Sequence, residues 1–217
     1  MPVQAGIQCC LWIPASAGVT RKCRACDMER AEILSWRKQK RDELIASRMA
    51  LPQAVHAEAD AAIARRIDTC LDDIEPCLVG AYWPFRREFS VLPVLDKLIA
   101  QGFTVALPVV LGKGRPLEFR NWTRETKLAS GVYDIPYPAE GAPVQPKMLI
   151  VPLVGFDDEG YRLGYGGGFY DRTIEAMDPR PFCLGVGFEV GRLPTIHPLP
   201  HDIPMNAIAT EKSFYIR

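Results

Sequence analysis

The chain has 217 residues and is 48% hydrophobic, enough to bury the core of one α/β domain or two small ones. Lys plus Arg and Asp plus Glu both total 26, so no global charge argues for a nucleic-acid or anionic-membrane partner. The longest apolar run, Met148 to Phe156, ends after nine residues, far short of a membrane span.

Residues 1–27 read as a separate block. Arg21, Lys22 and Arg24 cluster late in it, Asp27 is its acid, and nothing basic precedes Cys9 to Ile13. That order does not suit a secretory signal and gives little support to a mitochondrial presequence. Four of the seven cysteines fall here. Cys23-x-x-Cys26 has zinc-ligand spacing, but Cys9 and Cys10 are adjacent and do not complete a set. The block is expected to be a disordered extension, with Met28 where a natural start would fall. Cys70, Cys77 and Cys183 lie in apolar segments and read as buried thiols of a reducing compartment, which points to the cytoplasm.

The remainder, 28–217, reads as one domain. From Met28 the chain turns helical, and Arg37, Lys40, Arg41, Leu44 and Arg48 recur at spacings of three and four. Taken alone, such a basic stripe is a solvated face. Pro52 opens a second helix with Val55, Ala59, Ile63, Ile67, Cys70 and Ile74 on its core face and His56 toward solvent. Cys77 to Trp83 reads as a strand. Ser90 is expected to cap a helix through Leu95, Leu98 and Ile99 that Gly102 ends. Phe103 to Val110 is a strand, Leu111 to Pro116 a turn, and Glu118 to Trp122 a short strand. Prolines at 136, 138, 143 and 146 make 126–146 a loop. Met148 to Phe156 reads as a buried strand, and Phe169 to Met177 as a helix ended by Asp178-Pro179. Cys183 to Glu189 and Ala207 to Ile216 complete the strands. The alternation of strands and helices predicts an α/β fold with a mostly parallel sheet covered on both faces. Ligands in such sheets gather at the carboxyl ends of strands.

The densest chemistry lies at Tyr161 to Arg172, Y-R-L-G-Y-G-G-G-F-Y-D-R. Gly164, Gly166, Gly167 and Gly168 stand between a strand and a helix, and consecutive free N–H groups at a helix start suit phosphate oxygens. Arg162 and Arg172 flank the loop as cations, and Asp171 sits where a phosphate-bound metal would be. A tight turn without a ligand is the alternative reading. Neither G-x-x-x-x-G-K-[ST] nor G-x-G-x-x-G is present.

R-L-G-Y-G-G-G-F-Y-D-R resembles the signature of the 5-formyltetrahydrofolate cyclo-ligase family, also called methenyltetrahydrofolate synthetases, with Phe169 where Tyr is usual. The resemblance extends over Leu34 to Arg217. It implies a single three-layer α/β domain, similar to the sugar-phosphate isomerase and CoA-transferase architecture. It also implies a ligase that uses ATP and Mg²⁺ to convert 5-formyltetrahydrofolate to 5,10-methenyltetrahydrofolate, releasing ADP and phosphate; separately, a monomer is expected.

By the same resemblance, Arg37, Lys38, Gln39, Lys40 and Arg41 align with the family's K-x-x-L-R, whose cations reach ATP; Arg37 replaces Lys and Lys40 replaces Leu. ATP contacts are further implied at Arg162, Leu163, Gly164, Tyr165, Gly166, Gly167, Gly168, Phe169 and Tyr170. Folate contacts are implied at Trp83, Glu88, Tyr165, Gly166, Gly167, Gly168 and Phe169, with the Glu88 carboxylate suited to pterin N–H groups and aromatic rings to stacking. Core packing is the rival reading of Trp83. Asp171 and Asp202 are the implied metal ligands, hard oxygens of the kind Mg²⁺ takes. Asn206 stands where the family has a second aspartate, and Tyr137 where it has a glutamate. A phosphosugar isomerase or CoA-transferase-like enzyme, or a non-catalytic folate or nucleotide binder, are the competing functional readings.

Overall fold

The computed structural model describes residues 29–72 and 74–217; the expectations for the first 27 residues and for Met28 fall outside that range. Helix α1 spans Arg30–Met49, and the Glu29 N–H donates to Glu32 Oε2 at 3.1 Å across its first turn. Its buried residues are Arg37 and Arg48, so the basic stripe faces the body of the protein. Helix α2, Gln53–Leu71, follows Pro52 and buries His56, Ala59, Ile63, Ile67 and Leu71. The core face is therefore rotated from the expected one: Val55 and Ile74 are exposed, and His56 points inward, its Nε2 3.0 Å from the Arg87 carbonyl oxygen. The polar ring is accepted inside because that carbonyl gives it a partner.

Strand β1 is Leu78–Gly80, helix α3 Leu92–Ala100 and strand β2 Thr104–Val110. Ser90 does not cap α3; the helix begins after Val91 without a side-chain cap and with proline in its first turn, where a missing N–H costs nothing. Strand β3, Leu117–Asn121, returns antiparallel to β2. The proline-rich stretch holds the short pair β4 (Leu128–Ser130) and β5 (Pro136–Pro138), then β6 (Pro143–Val144). The long apolar run is split. Strand β7, Met148–Pro152, stays in the sheet, whereas β8 (Gly155–Phe156) leaves it to pair with β9 (Arg162–Leu163). Helix α4 is Phe169–Ala176 and strand β10 Phe182–Val186. The expected last strand is a hairpin of β11 (Ala207–Ala209) and β12 (Phe214–Ile216), turned where the Ser213 N–H donates to Thr210 Oγ1 at 3.0 Å.

The main sheet has the order β12-β11-β10-β7-β1-β2-β3-β6. Its five central strands are parallel, and antiparallel strands close both edges. Successive residues alternate between two cores, as a pleat requires. Val105, Leu107 and Ile150 join the layer of α2 and α3, while Ala106, Leu149 and Val151 join the layer of α4 with Phe156 and Ile174. This is the expected three-layer α/β arrangement. Of the cysteines, Cys183 is buried, Cys70 and Cys77 are only half-buried, and all three are free thiols.

Strands β1 and β7 are direct parallel neighbours. Their C-terminal connections, residues 81–91 and 153–168, therefore leave the same edge of the sheet side by side.

Candidate active site

The glycine loop closes the connection after β9. Gly166 has φ 89° and Gly168 φ 62°, a region that L side chains rarely enter. Gly168 is the N-cap of α4 and supplies no side chain to it, so among the described residues the first N–H groups of that helix have no side-chain cap. Arg41 lies along the loop: its Nε donates to the Gly164 carbonyl at 2.7 Å, and a Cβ on Gly166 would stand 3.3 Å from its guanidinium carbon. On the other side, Arg172 donates to the Gly167 carbonyl, and a Cβ on Gly168 would come within 2.8 Å of its Nη1. Gly167 is tight for another reason, since its Cβ would meet the Phe169 ring at 2.7 Å. The loop is thus a backbone cradle between two arginines. Leu163 is buried, and Phe169 and Tyr170 pack against the α4-side core.

The other arginines implied by the sequence are committed inside the protein. Arg37 is 4% exposed; it donates to the carbonyls of Ile196 at 3.0 Å and His197 at 2.8 Å, and pairs with Asp202 at 2.5 Å. Arg162 donates to the Ile203 carbonyl at 2.8 Å and pairs with Asp171 at 2.9 Å. Lys40 and Gln39 both bind Glu43, and Lys38 is exposed.

The two implied metal carboxylates flank one segment, because the Ile203 N–H donates to Asp171 Oδ1 at 3.1 Å. They differ in what they can offer a cation. Both Asp202 oxygens accept from Arg37, and the Leu199 N–H adds a third bond. Burial pushes the Asp202 carboxyl up, but Arg37 and that N–H hold it below its ordinary value. Asp171 uses Oδ1 for Arg162 and Ile203, while its Oδ2 has no hydrogen-bond partner among the described residues. A single carboxylate oxygen beside a phosphate cradle fits Mg²⁺, which takes one or two carboxylates plus phosphate oxygens. No group of three or more His, Cys, Asp or Glu that could hold a metal occurs among the described residues. The Asn206 amide oxygen is committed to the Cys183 N–H at 2.8 Å.

The connection after β1 forms the facing wall. Arg86 and Arg87 are both left-handed, with φ 47° and 54°, and they deliver Glu88 into the interior. Glu88 is 5% exposed; its Oε2 accepts the Phe85 N–H at 2.9 Å, and its Oε1 has no hydrogen-bond partner among the described residues. Burial raises its carboxyl to about 7, against the opposing pull of Arg48, the Phe85 N–H and the Tyr165 hydroxyl. Phe85 lies with its ring centroid 6.0 Å from that of Tyr165 and 6.1 Å from that of Tyr133. Tyr133 is 75% exposed, so this aromatic wall opens to solvent. Trp83 is half-buried and packs on the α2/α3 core, which favours the packing reading for it.

Glu88, Tyr165 and the glycines thus come from adjoining connections, joined by Arg41 from α1 and Asp171 from the first turn of α4, whereas Arg37, Arg162 and Asp202 form a supporting layer behind them. Three residues of this wall were not singled out from the sequence as site residues: Arg48, Phe85 and Tyr133. Arg48 had a usable signal, standing seven residues after Arg41 on the same face of α1. Phe85 and Tyr133 had none, being single loop aromatics far apart in the chain. An apolar cleft of about 340 Å³, lined in part by Val55, Ala59, Phe188 and Val190, shares no residue with this set.

The comparisons with known proteins agree with one another. A sequence model of the 5-formyltetrahydrofolate cyclo-ligase family matches residues 33–211. The chain is 31% identical over 182 residues to a 5-formyltetrahydrofolate cyclo-ligase of Mycolicibacterium smegmatis, covering 80% of this chain and 93% of the relative. It is 33% identical over 140 residues to the protein of that name in Escherichia coli K12, covering 61% and 76%. Its fold is similar to that of the Aquifex aeolicus 5,10-methenyltetrahydrofolate synthetase, with a TM-score of 0.72, 23% identity, and 83% and 92% of the two chains covered. The synthetase from Mycoplasma pneumoniae gives a TM-score of 0.68 at 18% identity, covering 81% and 98%.

Proposed function

The chain belongs to the 5-formyltetrahydrofolate cyclo-ligase family, and from that membership we propose that it closes 5-formyltetrahydrofolate to 5,10-methenyltetrahydrofolate at the expense of ATP. It is a ligase acting on small molecules. We place it in the cytoplasm as a monomer; no described helix is long and apolar enough to cross a membrane.

The reaction sets a definite physical task. A formamide carbonyl on N5 is a poor electrophile. Transfer of the ATP γ-phosphoryl group to its oxygen makes that oxygen a leaving group; N10 then attacks the formyl carbon, loses its proton, and phosphate departs. Phosphoryl transfer asks for positioning and charge neutralisation more than covalent help. The cradle suits that demand. The N–H groups of the glycine loop and of the first turn of α4 face the phosphates, and Arg41 and Arg172 supply the cations. Asp171 would hold Mg²⁺ through Oδ2, and the metal would neutralise phosphate charge when bound. Arg162 and Arg37 keep Asp171 and the 196–203 segment in place. Across the cleft, Glu88 accepts pterin N–H groups and the rings of Phe85, Tyr165 and Tyr133 stack on the folate.

The observation that carries this reading is the adjacency of the arginine-lined glycine loop to a buried carboxylate with one free oxygen. The test is to mix protein, 5-formyltetrahydrofolate, ATP and Mg²⁺ and follow methenyltetrahydrofolate absorbance. Product should form only with nucleotide present. No product, with both ligands bound, would leave a binding module instead.

A further inference from the structure

One guanidinium ties the two walls of the cleft together. Arg48 is 3% exposed. Its Nε donates to the Arg86 carbonyl at 3.1 Å, in the turn that delivers Glu88. Its Nη1 donates to the Leu153 carbonyl at 3.4 Å, just beyond β7, and its Nη2 to the Tyr165 hydroxyl at 2.8 Å, inside the glycine loop. We infer that Arg48 is a positioning residue that fixes Glu88 relative to the glycine loop, so that folate and nucleotide are held in one register. This inference rests on the active-site reading above.

Two further observations support it. Consecutive left-handed residues other than glycine need outside support, and here both carbonyls are engaged, Arg86 by Arg48 and Arg87 by His56. Arg87 also returns a hydrogen bond to the Met49 carbonyl at 3.1 Å, beside Arg48 on the same helix. The second observation is electrostatic. The Tyr165 hydroxyl accepts from Arg48 at 2.8 Å. Arg48 from α1 is the cation facing Glu88. The other groups facing it are phenols: Tyr82 after β1, Tyr165 in the glycine loop and Tyr170 on α4. From α2, His56 and Asp60 form a pair beneath the turn at 3.4 Å. Lysine at position 48 would keep the charge but could not reach three acceptors on three segments.

The experiment compares Arg48→Met, Arg48→Lys and, as a control, Arg41→Met in the full chain. It reads KM and kcat for each substrate and, without substrates, the carboxyl titration of ¹³C-labelled Glu88, assigned with Glu88→Gln. Arg48→Met should raise KM for the folate about tenfold and move the Glu88 midpoint upward by about one unit. Arg48→Lys should restore the midpoint while recovering KM only in part. Arg41→Met should weaken ATP and leave the midpoint where it was. A folded Arg48→Met protein with folate KM and Glu88 midpoint both unchanged overturns the inference. So does a KM defect with no shift of the midpoint. Should Arg48→Met not fold, Arg48→Lys must still raise the folate KM above that of wild type, and an unchanged KM there overturns it equally. If the wild-type chain makes no product, the functional reading fails, and the titration still decides the role of Arg48.

Discussion

The glycine loop and the Glu88 turn leave neighbouring parallel strands at the same sheet edge, yet they are built in opposite ways. The loop is main chain: its useful groups are backbone N–H donors on an open ledge, with Arg41 and Arg172 alongside. The turn is side chain: a buried carboxylate with one unpartnered oxygen, carried on two left-handed residues and walled by aromatic rings. The first environment favours anions. The second resists charge and holds an acid near neutrality. Under the proposed function, phosphates would lie on one side and the pterin, with its N–H groups and flat rings, on the other. The difference also says how each side can be broken.

The largest effect is expected at the junction of loop and helix. Asp171→Asn keeps the shape and an acceptor oxygen for Ile203 but removes the charge a metal needs. Turnover at saturating substrates should fall about 10²–10³-fold. Asp171→Ala is the poorer probe, because it strands the buried Arg162 without its partner and should also lower the melting temperature. A rate near wild type at ordinary Mg²⁺ would remove Asp171 from the metal site.

Gly166→Val attacks the loop alone. A β-branched residue is strained at φ 89°, and its bulk meets the Arg41 guanidinium at 3.3 Å. Calorimetry should show ATP affinity reduced about tenfold or more with folate affinity little changed. Unchanged ATP affinity in a folded variant would make the loop a turn and nothing else.

Glu88 offers a pH signature on the other side. Its carboxyl titrates near 4.3 when unfolded and at about 7 in the fold, so protons bind the native state more tightly. The stability contribution is fully present below pH 4 and is lost as pH rises through 7. Glu88→Gln abolishes that slope. Relative to wild type, the variant should gain on the order of 3 kcal/mol between pH 4 and pH 8 in denaturant unfolding, while its folate affinity falls. Parallel stability–pH curves for the two proteins would contradict the buried-acid assignment.

The smallest effect is expected at the rim. Tyr133→Ala removes one exposed ring of the aromatic wall and should weaken folate binding about 2–10-fold, the worth of one aromatic pair. ATP affinity should not move.

The two walls were unequally legible in the sequence. The glycine loop is a contiguous signal, and Gly164 to Gly168 with Asp171 could be read from twelve residues. The parallel α/β architecture was legible too, because it rests on local periodicity. Contacts between distant segments were not. Arg37 and Arg162 looked like phosphate cations, but each is drawn inward by an aspartate 165 or 9 positions away. His56 looked solvent-facing because nothing local announces the Arg87 carbonyl that receives it. The split of Met148 to Phe156 is hidden because apolar residues continue across the break, β8 keeping its apolar character while pairing outside the main sheet; the hairpin at Ala207 to Ile216 did carry a local signal, the polar run Thr210-Glu211-Lys212-Ser213 between its two apolar halves. Glu88 was found by resemblance, but its unpartnered oxygen and the Arg48 link belong to tertiary structure alone.

The central claim is the division of the cleft into a phosphate wall and a folate wall. Crossed steady-state kinetics test it most directly, with KM for ATP and for 5-formyltetrahydrofolate measured in wild type, Gly166→Val and Glu88→Gln. The account predicts that Gly166→Val raises chiefly the ATP KM and Glu88→Gln chiefly the folate KM. Two variants that raise the same KM, or a Glu88→Gln protein whose folate KM matches wild type, would contradict it.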